Sequence, residues 1–573
     1  MRARLRQVRQ FNSWPGWVVA AGLLVVGFPA LDQYNVTWDE ALGDLFFGQR
    51  YLSFFTSFDP TYLDFHAEPY PPDHEPDLTA SPFRGRAWEY YPVANTLAAA
   101  TSKVLSALDL VDPFDGFHAL NLLLAALLAV VLHEFLRRRY GRLAAALSLG
   151  FLFGSPRIVF HMMANIKDFP LMVFWSLAAC AYFSAWQRGS FRGLVAAGAL
   201  VGLALGTKGN ALFFPILPAL VLISCGIPDT WRRESPRAFL RSKAIRVAAA
   251  AGVAAMAAVA VMVALWPYLW ADPISRFARH LGYIAGRRSF TSPESMAPVL
   301  EALWWTTPPV FLLTAVIGAT WLLVRVARRH SRRAEDVFLL AWCIASLGRY
   351  LLPQAVNFDG VRHFLELFPA LAAIAGIATA ALARRLARIA VGSSPTENRV
   401  RLRLATVLSM LLLLPGLVQV VRTHPFQVAY WNTWAGGLDG AREKNLPQAS
   451  DYWGASYRLG MRWLNEHAEP GAYVAVPVVE HAVRLVAPLR LREDLVLLPI
   501  TTPLSPRIAP ERLAATRDLA TRAPVYVMFV ERRDWANELM VECLRRLTPE
   551  VIWTLDGAPV LSIYRYVPPG TPP

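Results

Sequence analysis

Cysteine is scarce here, four residues in 573, and what little there is excludes a good deal. Cys180, Cys225 and Cys343 fall inside apolar runs and Cys543 stands alone near the C-terminal end, so neither a disulfide framework nor a zinc-ligand spacing is present. Charge is also sparse at 17%, and acids, at 42, are outnumbered by 57 lysines and arginines, which leaves a formal charge of +15. No internal repeat and no long low-complexity linker is visible, and His66, His74 and His118 have no ligand-spaced companions, which points to ordinary surface roles for them. What the chain has in abundance is apolar residues, 55% of the total. Basic loops between long apolar runs make a polytopic membrane protein, and the basicity is then no argument for nucleic acid.

Runs long enough for a hydrocarbon core of about 30 Å occur near Gly16–Leu31, Phe117–Phe135, Leu143–Phe160, Phe169–Trp186, Leu194–Gly206, Ala211–Cys225, Val247–Trp270, Pro308–Val324, Val337–Leu352, Phe364–Ala383 and Leu404–Val420. The basic start Met1–Arg9 followed by the first run reads as an uncleaved anchor, because no small-residue cleavage site precedes Asp32. Pro92–Leu110 is helical in pattern, but as a span it would invert the basic loops after it, so it is placed along the membrane surface. With that choice Arg137–Arg142, Arg188 with Arg192, Arg232–Arg246, Arg325–Arg333 and Arg384–Arg403 share the cytoplasmic face. The acidic loop Asp32–Tyr91, with only Arg50, Arg84 and Arg86 as cations, and everything after Val421 lie on the other side. The expectation is a fold of about eleven transmembrane helices with juxtamembrane helices in the first outer loop, 32–110, inside a membrane domain 1–421. Residues 422–573 are expected to form a small extracytoplasmic α/β domain, with strands at Tyr473–Val479, Leu495–Pro499, Val525–Val530 and Val551–Tyr566 and helices at Tyr457–Glu466, Glu511–Thr521 and Asp534–Leu547.

Just beyond the first run stands Tyr34-Asn35-Val36-Thr37-Trp38-Asp39-Glu40. Adjacent carboxylates at the mouth of a span suit a general base acting on a substrate presented from the bilayer, where water is restricted and the pKa tunable. The plainer alternative is a helix start, with Thr37 or Asp39 as its cap. On the drawn topology Lys167, Asp168, Lys208, Asp272, Arg362 and His363 gather on the same outer face. Each could simply snorkel to the interface, yet cations on the noncytoplasmic side run against the charge rule. Lys208, in Thr207-Lys208-Gly209-Asn210 between two runs, would match a phosphate at the bilayer surface. Trp434, Tyr452, Trp453 and Trp463 are either interfacial belt residues or a stacking surface for a glycan or acceptor.

Thr37-Trp38-Asp39-Glu40 after the first span resembles the GT-C class of integral-membrane glycosyltransferases, in the branch of protein O-mannosyltransferases and the lipid A aminoarabinose transferase. Glu89-Tyr90-Tyr91-Pro92-Val93-Ala94-Asn95 stands where that branch carries a His-Pro-Pro-Leu-like segment, with Pro92 matching and the histidine missing. Asn165-Ile166-Lys167-Asp168-Phe169-Pro170, Thr207-Lys208, Trp266 to Pro273, Asp359-Gly360-Val361-Arg362-His363-Phe364, Tyr430-Trp431-Asn432 through Gly436-Gly437 and Asp451-Tyr452-Trp453-Gly454 continue the likeness over most of 15–465. The resemblance implies an inverting transferase that takes a sugar from a polyprenyl or dolichyl phosphate to a protein, lipid or glycan acceptor. Catalysis would fall to Asp39 with Glu40, and donor-phosphate binding to Lys208, Arg362, His363 and Lys167. Asp168, Asp272 and Tyr91 would be polar residues of the substrate site, and Trp434, Tyr452 and Trp453 would face the acceptor. No cofactor is required in that branch, while a divalent cation remains compatible with the acids present. The setting implied is a bacterial inner membrane, with the active site and the C-terminus outside. A transporter fits less well, lacking repeats and midplane charges, and a non-catalytic envelope-glycan assembly factor is the other alternative.

Overall fold

In the computed structural model the described residues are 14–64, 87–231, 242–286, 297–351, 357, 359–392, 397–502, 505 and 507–570. The basic start 1–9, His66, His74, Arg84 and Arg86 lie outside them. The protein is a polytopic α-helical membrane protein with a small α/β region at its C-terminal end. Among the described residues seven helices are long and apolar enough to cross a membrane: Trp14–Gln33, Pro113–Tyr140, Asp168–Arg188, Lys243–Ala264, Pro309–Ala327, Arg362–Val391 and Asn398–Arg422. The other expected spans differ in form. Leu143–Phe160 is a pair, Arg142–Phe153 and Pro156–Ala164, bent by 70°, because Pro156 cannot continue the first helix's hydrogen bonding. Phe191–Leu205 and Gly209–Cys225 are shorter apolar helices, and of Val337–Leu352 only the part up to Ser346 is in an α-helix, Arg333–Ser346 of 14 residues, with the short turn Gly348–Leu351 after it.

The chain divides into two compact units, one of 1–27, 121–159 and 167–422 and the other of 28–120, 160–166 and 423–573. In the first, apolar helices pack pairwise, Phe191–Leu205 along Lys243–Ala264 and Arg142–Phe153 along Phe368–Val391. In the second, the first loop and the C-terminal region share one fold. There the helix Leu45–Ser57 packs on Pro92–Ala107. Five strands, β1 Tyr473–Ala475, β2 Val496–Leu498, β3 Val525–Val530, β4 Val551–Leu555 and β5 Ala558–Arg565, form a sheet in the order β2-β1-β3-β5-β4. β1 is parallel to β2 and β3, and β5 is antiparallel to β3 and β4. The expected single strand Val551–Tyr566 is a hairpin, because Asp556 and Gly557 both take positive φ, 51° and 88°, as its two-residue turn requires. The strand expected to run to Val479 stops at Ala475, and the helix Glu480–Arg490 follows.

Candidate active site

Thr37 begins a turn by accepting Ala41 N–H on its carbonyl at 3.0 Å, while Glu40 reaches back to accept Thr37 N–H at 2.8 Å. This is the glutamate half of a Thr-x-x-Glu box at a helix start; the other half is not formed, since the buried Thr37 hydroxyl makes no hydrogen bond among the described residues. The segment is fixed from outside by Asn35 N–H donating to the Ala455 carbonyl at 2.8 Å and Trp38 N–H to that of Trp453 at 3.1 Å. Asp451 builds the turn that supplies those carbonyls: its buried carboxylate accepts the N–H groups of Trp453, Gly454 and Ser456 and the Ser456 hydroxyl, at 2.7 to 3.1 Å.

The two carboxylates have different surroundings. Glu40 is buried, and beyond Thr37 it meets His118 Nε2 at 3.1 Å and accepts Ile166 N–H at 3.2 Å. Burial pushes its pKa up, but the His118 ring and the Thr37 N–H outweigh that and hold it below the ordinary glutamate value. Asp39 is half-buried, and its side chain does not cap the turn. His118 therefore does not lie at the surface as its lack of ligand-spaced companions suggested: it is fully buried and bonded to Glu40. Its place inside the apolar run Phe117–Phe135 was the available signal, since ionisable groups there are functional candidates by default.

In the other unit Lys208 follows the helix Phe191–Leu205 in extended conformation, φ −165° and ψ 145°. Its ammonium bonds the Asp168 carboxylate and lies 3.1 Å from His363 Nδ1. Asp168 also faces Arg362 at 3.7 Å, and Arg362 pairs with Asp359 at 2.9 Å. Asn210 locks the arrangement by donating to the His363 carbonyl at 2.6 Å and to Glu366 at 3.0 Å, while its own oxygen accepts from Arg349 at 3.1 Å. Burial drives the Lys208 pKa down to about 8, with Asp168 opposing and Arg362 and Arg349 reinforcing. Sequence reading missed Asn210, Glu366 and Arg349, which have no motif of their own.

The remaining expected site residues are placed as follows. Lys167 is half-buried at the start of Asp168–Arg188 and makes no side-chain cap. Asp272 is exposed and accepts Ser275 N–H at 3.1 Å, a helix cap whose hydrogen bonds hold its carboxyl below the usual range. Tyr91 is buried and extended just ahead of Pro92, as a residue before proline must be. Trp434 is half-buried, with its N–H on Asn432 Oδ1 at 3.0 Å. Tyr452 and Trp453 are buried, and the Trp453 ring packs edge-on to Phe160 at 6.0 Å and His161 at 5.7 Å. Among the described residues no group of three or more His, Cys, Asp or Glu could hold a metal ion.

Residues 112–266 match the family model described as dolichyl-phosphate-mannose-protein mannosyltransferase. No curated protein matches the chain. Similar solved structures include ArnT from Cupriavidus metallidurans bound to undecaprenyl phosphate, 15% identical over 96% of this chain and 98% of that one, with a TM-score of 0.48. Another is the archaeal oligosaccharyltransferase AglB from Archaeoglobus fulgidus, 15% identical over 91% and 69%, also at 0.48. The arabinofuranosyltransferase AftD from Mycobacteria is 14% identical over 96% and 40%, at 0.39. Residues 112–266 are thus the part of this chain that is similar to the dolichyl-phosphate-mannose-protein mannosyltransferase family.

Proposed function

We propose that the protein moves a sugar from a polyprenyl- or dolichyl-phosphate donor to an acceptor on the extracytoplasmic face of the membrane, with inversion. Asp39 is the general base: it takes the proton from the acceptor hydroxyl or amine as that atom attacks the anomeric carbon. The bond from the anomeric carbon to the phosphate oxygen breaks, and the lipid phosphate leaves with the electron pair. Lys208 and Arg362 neutralise the charge that develops there, with His363 beside them. Glu40 holds the segment rather than exchanging the proton. Residues 422–573 serve as the extracytoplasmic domain, with Trp434 on its acceptor side, and the chain's own cations supply the charge neutralisation without a cofactor.

The observation that carries this reading is the unequal burial of the pair: Glu40 is fully enclosed among Thr37, His118 and Ile166, whereas Asp39, on the same turn, is only half-buried. The family match over 112–266 supports the donor class. The test uses purified protein with polyprenyl phosphates carrying a panel of single labelled sugars. Asp39→Asn should lower transfer by about two to four orders of magnitude while donor binding stays as it was. Full transfer by Asp39→Asn would overturn the assignment, and a loss confined to Glu40→Gln would move the base by one residue.

A further inference from the structure

The helix Glu480–Arg490 touches the first loop at one end and the start of the helix Pro113–Tyr140 at the other. At its N-terminal end His481 Nε2 lies 3.3 Å from the Trp38 carbonyl, and its ring meets the Trp38 indole edge-on at 5.3 Å. Burial holds this histidine down to about 4, against the pull of the Trp38 carbonyl and Asp39, so it is neutral near pH 7 and donates its one ring N–H. Trp38 is closed in further by Trp535 at 4.6 Å and the Arg532 guanidinium at 5.4 Å. About 13 to 14 Å farther along, by the rise of an α-helix, buried Arg490 meets Asp112 at 2.7 and 3.1 Å and Asp115 at 2.7 Å, with its guanidinium over Phe114. Asp115 lies one turn before His118 on the same helix, and His118 is bonded to Glu40. The preceding helix, Tyr457–His467, adds Arg458 on Asp112 at 3.2 Å and on the Asp32 carbonyl at 3.0 Å, and Arg462 on Asp32 at 2.8 Å.

We propose that the helix Glu480–Arg490 is a brace for the Thr37–Glu40 segment, with His481 and Arg490 as positioning residues that set the Asp39 carboxylate for proton transfer. The C-terminal α/β region is then a working part of catalysis. Fixed orientation at the reacting group is worth rate rather than affinity. A brace therefore acts on turnover, and a guanidinium gripping two carboxylates is replaced only in part by an ammonium. This inference rests on the reading of Asp39 as base.

The experiment measures amide hydrogen exchange and transfer kinetics on the full-length protein in nanodiscs. In Arg490→Met the amides of 34–41 should exchange at least tenfold faster, while those of β3 stay protected. The kcat should fall about tenfold with the donor KM within twofold, and Arg490→Lys should recover part of both. Unchanged exchange at 34–41 overturns the brace. If Arg490→Met loosens β3 as well, His481→Ala decides, since it must loosen 34–41 alone, and uniform loosening or none there also overturns it. Exchange at 34–41 is read without turnover, so a failure of the Asp39 assignment, seen as full transfer by Asp39→Asn, is distinguishable from a failure of the brace.

Discussion

Lys208 is a cation that burial makes expensive, and its proton is correspondingly loose, its pKa lowered to about 8. If the protonated form takes the donor phosphate, kcat/KM for the donor should fall with rising pH above about 8, approaching tenfold per unit, because that ratio reports the free enzyme. Lys208→Arg, which stays charged, should remove the alkaline limb, and a limb that survives in it belongs to another group. Glu40 and Asp39 should separate in stability as they do in surroundings. Glu40→Gln puts an amide where Thr37 N–H and Ile166 N–H both donate. The mismatch should cost about 1–3 kcal/mol, read as a lower thermal midpoint, whereas Asp39→Asn, at a half-buried position, should lower the midpoint less. The acid pair itself was legible because it sits in a short motif beside a span. Which of the two is buried and bonded was not, because its partners, His118 and Ile166, are 78 and 126 residues away in the chain.

At the scale of elements, the long apolar runs were readable even where proline or glycine lies inside them, as Pro415 does in Asn398–Arg422, and the shorter ones were not. The bend at Pro156 and the short helices on either side of Lys208 follow from local breakers whose outcome depends on packing. The helix Glu480–Arg490 escaped notice because Pro488 lies within it and the valines around 474–479 favour extended structure. One packing feature is directly testable. Gly198 and Gly202 lie four apart on Phe191–Leu205, and a Cβ at either would come to 2.1 Å of the Ala254 carbonyl or 2.5 Å of that of Ala258. Small residues at this spacing let two membrane helices approach backbone to backbone. Gly198→Leu should therefore part Phe191–Leu205 from Lys243–Ala264 and cost about 1–3 kcal/mol or more, read as a fall in thermal midpoint. Gly252→Leu, on the facing helix where a Cβ meets nothing within 4 Å, is the control that should be tolerated.

At the scale of the whole molecule, the compact units are not stretches of sequence. The first loop, 28–120, belongs with the C-terminal region, and a contact such as Asn35 N–H on the Ala455 carbonyl is invisible to a reading that moves along the chain. Charge is the property that does read along the chain, and it yields an orientation that can be tested. Pro92–Ala107 has 16 residues, about 24 Å of helix against a core of about 30 Å, and it packs along Leu45–Ser57. With that helix on the surface, Arg137–Arg139 should face the cytoplasm, where the charge rule puts an excess of cations. In a cysteine-free background Arg138→Cys, whose parent side chain is 51% exposed, should react with an impermeant maleimide only after the membrane is opened. The native Cys543 is no reporter for the other face, since it is buried, but exposed Arg545 is. Arg545→Cys should label in intact spheroplasts. Labelling of Arg138→Cys from outside would invert the faces, move Asp39 to the cytoplasmic side and remove the lipid-phosphate donor of the outer leaflet from its reach.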